Sequence, residues 1–239
     1  MALREQEPRA ESKEHEFTRT ERRLIARLRT PMAVQKWLNG LPYNTEPPPG
    51  RATLRSFRGV VRQRTAHCLE AALAAAVILE QHGYPPLVLS FESIDELDHV
   101  IFVYQRQGRW GSVARSRDPG LHGRKPVFVT PRALARSYGD TYVDLTGRVK
   151  AFAVVDLRVL GTYDWRLSER NVWKVERMLL DTPHTPLLMP EARYQSFLKR
   201  YRAFKKKFPD RKPINYEGRE RWTAIPAEFN RDRNRGWAW

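Results

Sequence analysis

With 239 residues and a formal charge of +16, the chain is long enough to bury a core without crosslinks. Its basicity raises nucleic acid, anionic surfaces and acidic proteins as partner classes. The single cysteine excludes an internal disulfide and fits a reducing, cytoplasmic compartment. MALREQEPRAESKEHEF lacks the apolar stretch of a secretory leader, and no later run approaches the ~18 apolar residues of a membrane span, so neither is expected.

Residues 1–30 mix both charge signs around one short apolar patch, Leu24 to Leu28, and read as a flexible arm in which that patch forms at most a helical turn or two. From Pro31, PMAVQKWLNGLPYN places proline at a helix start and predicts a short amphipathic helix ended by Gly40 and Pro42. TEPPPGR is a loop, and LRSFRGVVRQR carries a second short helix. The longest apolar helix is predicted over Ala66 to His82, apolar on nearly every face and therefore buried, with Gly83 and the prolines Pro85 and Pro86 ending it. PLVLSF and HVIFVYQ read as strands, the second covered from both sides, and WGSVA as the returning strand of a hairpin across QGR.

RSRDPGLHGRKPVF reads as a loop, TPRALARSYG as a helix capped by Thr130, and AFAVVDLRVL as a further strand. After Asp164 the pattern turns helical: SERNVWKVERMLL, capped by Ser168, then PEARYQSFLKRYRAFKKKF, whose aromatic residues share one face. The fold class is α+β, a buried helix packed on an antiparallel sheet. The core domain is drawn over residues 31–161, followed by a basic helical extension with an irregular tail over 162–239.

Chemistry concentrates at the two ends of the first core elements. Cys68 stands where the buried helix begins, and a thiol there faces the positive end of the backbone dipole, which favours the thiolate. His99 opens the strand HVIFVYQ. A cysteine and a histidine at the ends of successive core elements suit a Cys/His nucleophilic site, although an unpaired cysteine is also commonly a small core residue. His67 more naturally caps or lines a cleft than shares a proton with its neighbour, and Glu70 suits the first turn of the helix. His15, His82, His122 and His184 lack partners at metal spacing, so no metal and no cofactor is expected.

The succession AHCLEAALAAAVILEQHGYPPLVLS, DHVIFVYQ, GRWGSVARS resembles the core of the transglutaminase-like superfamily, a papain-related group, and in particular a bacterial branch of it. The resemblance covers Arg64 to Asp118. It implies Cys68 as nucleophile and His99 as general base or imidazolium partner, with an aspartate on the following strand to orient the imidazole. Ala114 stands where that aspartate falls, and alanine cannot orient an imidazole. Asp118 and Ser116 are the nearest polar residues of the same parity, with Asp98 beside the histidine as an outsider and a turn before Pro119 as the other role for Asp118. Gln63 resembles the side-chain oxyanion donor of papain-like enzymes. Arg115, Arg117, Arg124 and Lys125 lie just past the hairpin and, if that loop borders the cleft, suit a substrate carboxylate or phosphate.

The implied activity is acyl transfer, chiefly hydrolysis of a peptide, protein or small amide through a Cys68 thioester. The competing reading is a catalytically silent scaffold that binds nucleic acid or an acidic protein weakly through its basic surface. Between Arg193 and Trp222 eleven Lys or Arg face three acids, half the net charge of the chain. No glycine-rich phosphate loop or nucleic-acid-binding signature accompanies them.

Overall fold

The structure, a computed structural model, describes residues 16–46, 52–94, 99–142 and 148–209. Thr18 begins a capping box with Glu21 and starts helix α1, Arg19–Arg27. Residues 16–30, part of an arm in the sequence reading, thus contain a capped helix, with Ile25 and Leu28 buried. Glu21 accepts from Arg58 Nε at 2.9 Å, an ion pair that is largely buried. Residues 1–15 lie outside the described set.

Thr30 caps α2, Pro31–Asn39, and Ser56 caps α3, Phe57–Gln63, each side chain accepting the amide three residues on. Next comes α4, Cys68–Glu80, in which every residue from Ala71 to Leu79 is fully buried. Burying Leu73, Val77, Ile78 and Leu79 stabilises the fold by roughly 1.5–3 kcal/mol each. Gly83, at φ +83°, turns the chain out of the helix as its position predicts.

Strands β1 (Leu87–Ser93), β2 (Val100–Arg106) and β3 (Arg109–Val113) follow, the last two joined by a tight turn with Gln107 and Gly108 both at positive φ. Arg124–Phe128 then pairs with β3 as β4. The sequence, heavy in arginine, glycine and proline here, suggests a loop instead, and Pro126 lies within the strand. At a sheet edge a missing N–H costs no ladder bond, and the alternating exposure of Lys125 and Val127 is that of an edge strand. Helix α5, Pro131–Gly139, is capped by Thr130, and β5, Val149–Asp156, returns to pair with β1. Beyond it lie α6 (Trp173–Asp181), β6 (Thr185–Pro186) and α7 (Glu191–Lys207).

The six strands form one antiparallel sheet in the order β4-β3-β2-β1-β5-β6. On one face, α4 packs against Val88, Val100, Phe102 and Tyr104. The other face carries Leu89, Phe91, Ile101 and Val103 against Leu134, Ala135 and Tyr138 of α5. Strand β2 is therefore covered from both sides, which explains its unbroken apolar run.

Two expectations for the C-terminal part change. Ser168 does not cap α6; it accepts the Arg170 amide in a local turn, and the helix starts at Trp173. Trp165, Leu167, Val172, Val175 and Leu179 belong to the same cluster as α4, so packing continues past Gly161. On α7, Tyr194, Phe197 and Leu198 are buried with Met189 beside them, while Arg200 and Arg202 stay exposed. Among the described residues no helix is long and apolar enough to cross a membrane.

Candidate active site

Arg64, in the left-handed region at φ 55°, ends α3, and the chain then stays extended through Ala66 and His67. Ala66 forms a parallel bridge with Tyr43, so the start of α4 is pinned before the helix begins. Cys68 is the first helical residue, and its amide is one of those that a helix leaves without an internal partner. His99 sits one residue before β2, its carbonyl taking the Phe91 amide at 2.9 Å. The imidazole is 3% exposed, stacked on Phe91 at 6.1 Å with Tyr138 at 6.0 Å.

Both His67 and His99 hydrogen-bond to the Cys68 thiol. Burial opposes ionisation of the thiol, but those two hydrogen bonds and the charge on the two imidazoles outweigh it, and the thiol titrates well below its ordinary value. His67 is the N-cap of α4, as its position predicts, and its ring also reaches the sulfur. Adjacent residues diverge by about 100° only when both are helical, whereas His67 is extended and its ring can fold back over the thiol.

Burial pulls the His67 pKa down. The Cys68 hydrogen bond, the charges of Cys68 and Glu70 and the Thr53 carbonyl, 2.8 Å from Nε2, raise it further, to about 9.

Glu70 lies beneath this pair and is wholly buried. It accepts from Arg55 Nε at 2.7 Å and Nη2 at 2.9 Å, from the Arg55 amide at 3.0 Å and from Thr53 Oγ1 at 3.0 Å. The His67 amide at 3.1 Å and Asn44 Nδ2 at 3.2 Å complete six donors. Burial opposes its charge, and Arg55 and His67 hold the carboxyl below the usual carboxylate range nonetheless. Its role thus exceeds the dipole contact suggested by its place in the first turn: it fixes the loop 53–55 and His67 to α4.

Among the described residues, the group behind His99 belongs to the backbone. His99 Nε2 meets the Leu121 carbonyl at 3.0 Å. A carbonyl only accepts, so Nε2 carries the proton and Nδ1 is left for the sulfur. Asp118 instead accepts the Gly120 amide at 2.9 Å through Oδ1, and Ser116 Oγ accepts the Asp118 amide at 3.1 Å, so both shape the loop that brings Leu121 to the imidazole. Ala114 is tied to α2 by both backbone groups, Gln35 Oε1 taking its amide at 2.9 Å and Gln35 Nε2 donating to its carbonyl at 2.8 Å. Asp98 lies outside the described residues.

Gln63 is exposed at the end of α3. Of the three arginines, Arg115 is buried, donating to the Leu41 and Ser116 carbonyls at 3.0 and 3.1 Å. Arg124 is 2% exposed, donating to the Gly120 carbonyl at 2.6 Å with its guanidinium 3.9 Å over the Tyr138 ring. These two hold the 116–124 loop, and only Arg117 is exposed. His122 is buried in the same loop. Its Nδ1 meets Asn39 Oδ1 at 3.0 Å, and its Nε2 lies 3.0 Å from both Arg115 Nη1 and the Ser116 carbonyl. Burial, reinforced by the Arg115 charge, pushes its pKa down to about 3.

Two participants carry no sequence signal. A backbone carbonyl such as that of Leu121 has no signature in the side-chain pattern. Tyr43, whose phenol hydrogen-bonds to Cys68, lies 25 residues upstream in a segment with no regular periodicity.

No protein-family model and no curated protein matches the chain. Among solved structures, Legionella pneumophila LapG aligns at 12% identity over 59% of this chain and 81% of its own. LapG treated with EGTA aligns at 10% identity over 75% and 84%, and calcium-bound LapG at 14% over 65% and 86%. Each alignment has a TM-score of 0.34.

Proposed function

We propose that this protein is a cysteine-dependent acyl-transfer enzyme, an amide or peptide hydrolase working through a thioester on Cys68 with His99 as its base. The observation that carries the reading is a thiol at a helix N-terminus, hydrogen-bonded to two imidazoles, one of them locked in its tautomer by the Leu121 carbonyl. The thiolate attacks the substrate carbonyl carbon, and the C=O electron pair moves onto oxygen, towards the Cys68 amide. As the C–N bond breaks, His99 gives the departing amine the proton that its Nδ1 has taken from the Cys68 thiol. It then takes a proton from the water that attacks the thioester, and the acid leaves as the thiolate returns. His67, charged at neutral pH, keeps the sulfur anionic between turnovers.

Hydrolysis is favoured over crosslinking because the sequence offers nothing that resembles a site for a second amine. A scaffold without turnover, binding an anionic partner through the basic residues 193–222, is the second reading. It is favoured by the neutral carbonyl behind His99, since a carboxylate would stabilise the imidazolium more. Residues 210–222 of that basic stretch lie outside the described set.

Iodoacetamide at pH 6 separates the two. An activated Cys68 alkylates on the order of ten times faster than free cysteine or more, because the free thiol is mostly protonated there. A rate no faster than free thiol, together with a Cys68→Ala protein that retains every activity of the wild type, refutes the enzyme reading.

A further inference from the structure

The segment around Tyr43 is laid alongside the residues that lead into α4. Tyr43 bridges Ala66, the Asn44 amide donates to the Ala66 carbonyl at 3.2 Å, and the Ala66 amide reaches the Pro42 carbonyl at 3.4 Å. This pairing delivers a half-buried phenol to Cys68, where its oxygen meets both the backbone amide and the sulfur. From the solvent side, the exposed Arg117 places its guanidinium 6.0 Å from the centre of the Tyr43 ring.

We propose that Tyr43 is a catalytic residue, the side-chain donor that, with the Cys68 amide, holds the oxyanion of the acyl-transfer step; the proposal rests on the reading above. In the free protein the hydroxyl faces the thiolate, where the negative charge is. When sulfur bonds to the carbonyl carbon, that charge passes to the former carbonyl oxygen, which needs the Cys68 amide. The phenol oxygen beside that amide gives way, and its O–H turns to follow the charge from sulfur to oxygen. No proton is transferred in this step, so the phenol must stay protonated throughout. Burial does so first, and the neighbouring thiolate adds to it, against the opposing Arg117 charge, so that the phenol titrates above its ordinary range. Gln63, the side-chain donor the sequence suggests, is exposed at the C-terminal end of α3.

The test compares two reagents on Tyr43→Phe, which keeps the ring beneath Arg117 and removes only the hydroxyl. p-Nitrophenyl acetate acylates the thiol through an oxyanion, whereas iodoacetamide alkylates it by displacing iodide and forms none. Acylation is expected to fall about 100-fold, the usual loss for one oxyanion donor, with alkylation within about threefold of wild type. Unchanged or faster acylation overturns the proposal, the faster result marking the phenol as an obstruction. Equal losses with both reagents also overturn it, because they signal disturbance of the thiol itself. If Tyr43→Phe does not fold, Tyr43→His, which retains a ring donor, must acylate at least tenfold faster than Tyr43→Ala when both alkylate normally. A wild-type protein that alkylates rapidly but is never acylated refutes the acyl-transfer reading and this role with it. Acylation of wild type and Tyr43→Phe at one rate refutes only the role of the phenol.

Discussion

Replacing Glu70 with glutamine tests whether the site is built on a buried charge. The side chain is wholly buried and accepts six hydrogen bonds, two of them from the Arg55 guanidinium at 2.7 and 2.9 Å. Glutamine keeps the shape but turns one acceptor oxygen into a donor nitrogen that faces donors, and it leaves Arg55, only 16% exposed, without its counter-ion. Removing one partner of a buried ion pair costs about 3–5 kcal/mol. For a domain of this size that is a fall in Tm of ~6–20 °C. His67 also loses its anionic neighbour, so its pKa falls and the thiol loses part of its imidazolium. The measurements are a thermal melt and the pH dependence of iodoacetamide alkylation, whose acid limb is expected to move to higher pH. A double variant, Arg55→Met with Glu70→Gln, is expected to melt above Glu70→Gln alone, because no unpaired cation remains. A Tm within about 2 °C of wild type for Glu70→Gln, a change worth less than ~1 kcal/mol, would refute the reasoning.

Three further outcomes are expected. His67→Gln removes the raised imidazolium, so the alkylation profile of Cys68 moves towards that of an ordinary thiol; because His67 titrates near 9 in the fold and near 6.5 unfolded, its contribution to stability is complete below about 6.5 and disappears as pH rises through 9, and urea midpoints of wild type and variant should converge there. His122 behaves oppositely: it is neutral in the fold down to about 3, so the unfolded chain binds the extra proton first and stability falls by up to ~1.4 kcal/mol per pH unit below about 6.5, and a urea midpoint equal at pH 7 and pH 5 would contradict its burial as a neutral ring. Gly123→Ala places a Cβ into Gln35 Oε1 and the Ser112 carbonyl, so it should destabilise by about 1–3 kcal/mol in chemical denaturation and loosen the 116–124 loop that holds Leu121 against His99.

Elements whose signal is local were legible in the sequence. Apolar runs, caps and left-handed glycines marked α2, α4, the β2–β3 hairpin and α5, because periodicity and capping act within one or two turns of chain. Those elements also placed Cys68 and His99 at the ends of neighbouring core segments. Tertiary structure decided what depends on partners far along the chain. Arg124–Phe128 is a strand only because β3 offers an edge, and Arg19–Arg27 is packed helix because Arg58 supplies a counter-charge 37 residues from Glu21. The surroundings of the thiol belong to the same class. Sequence parity pointed to Asp118 and Ser116 for the imidazole, yet both bond backbone amides within the loop while His99 meets the Leu121 carbonyl, a group every residue possesses and no side-chain pattern reveals. His67 and Tyr43 reach the thiol because the chain before α4 stays extended beside Tyr43, a pairing set by backbone hydrogen bonds rather than by the identity of either side chain.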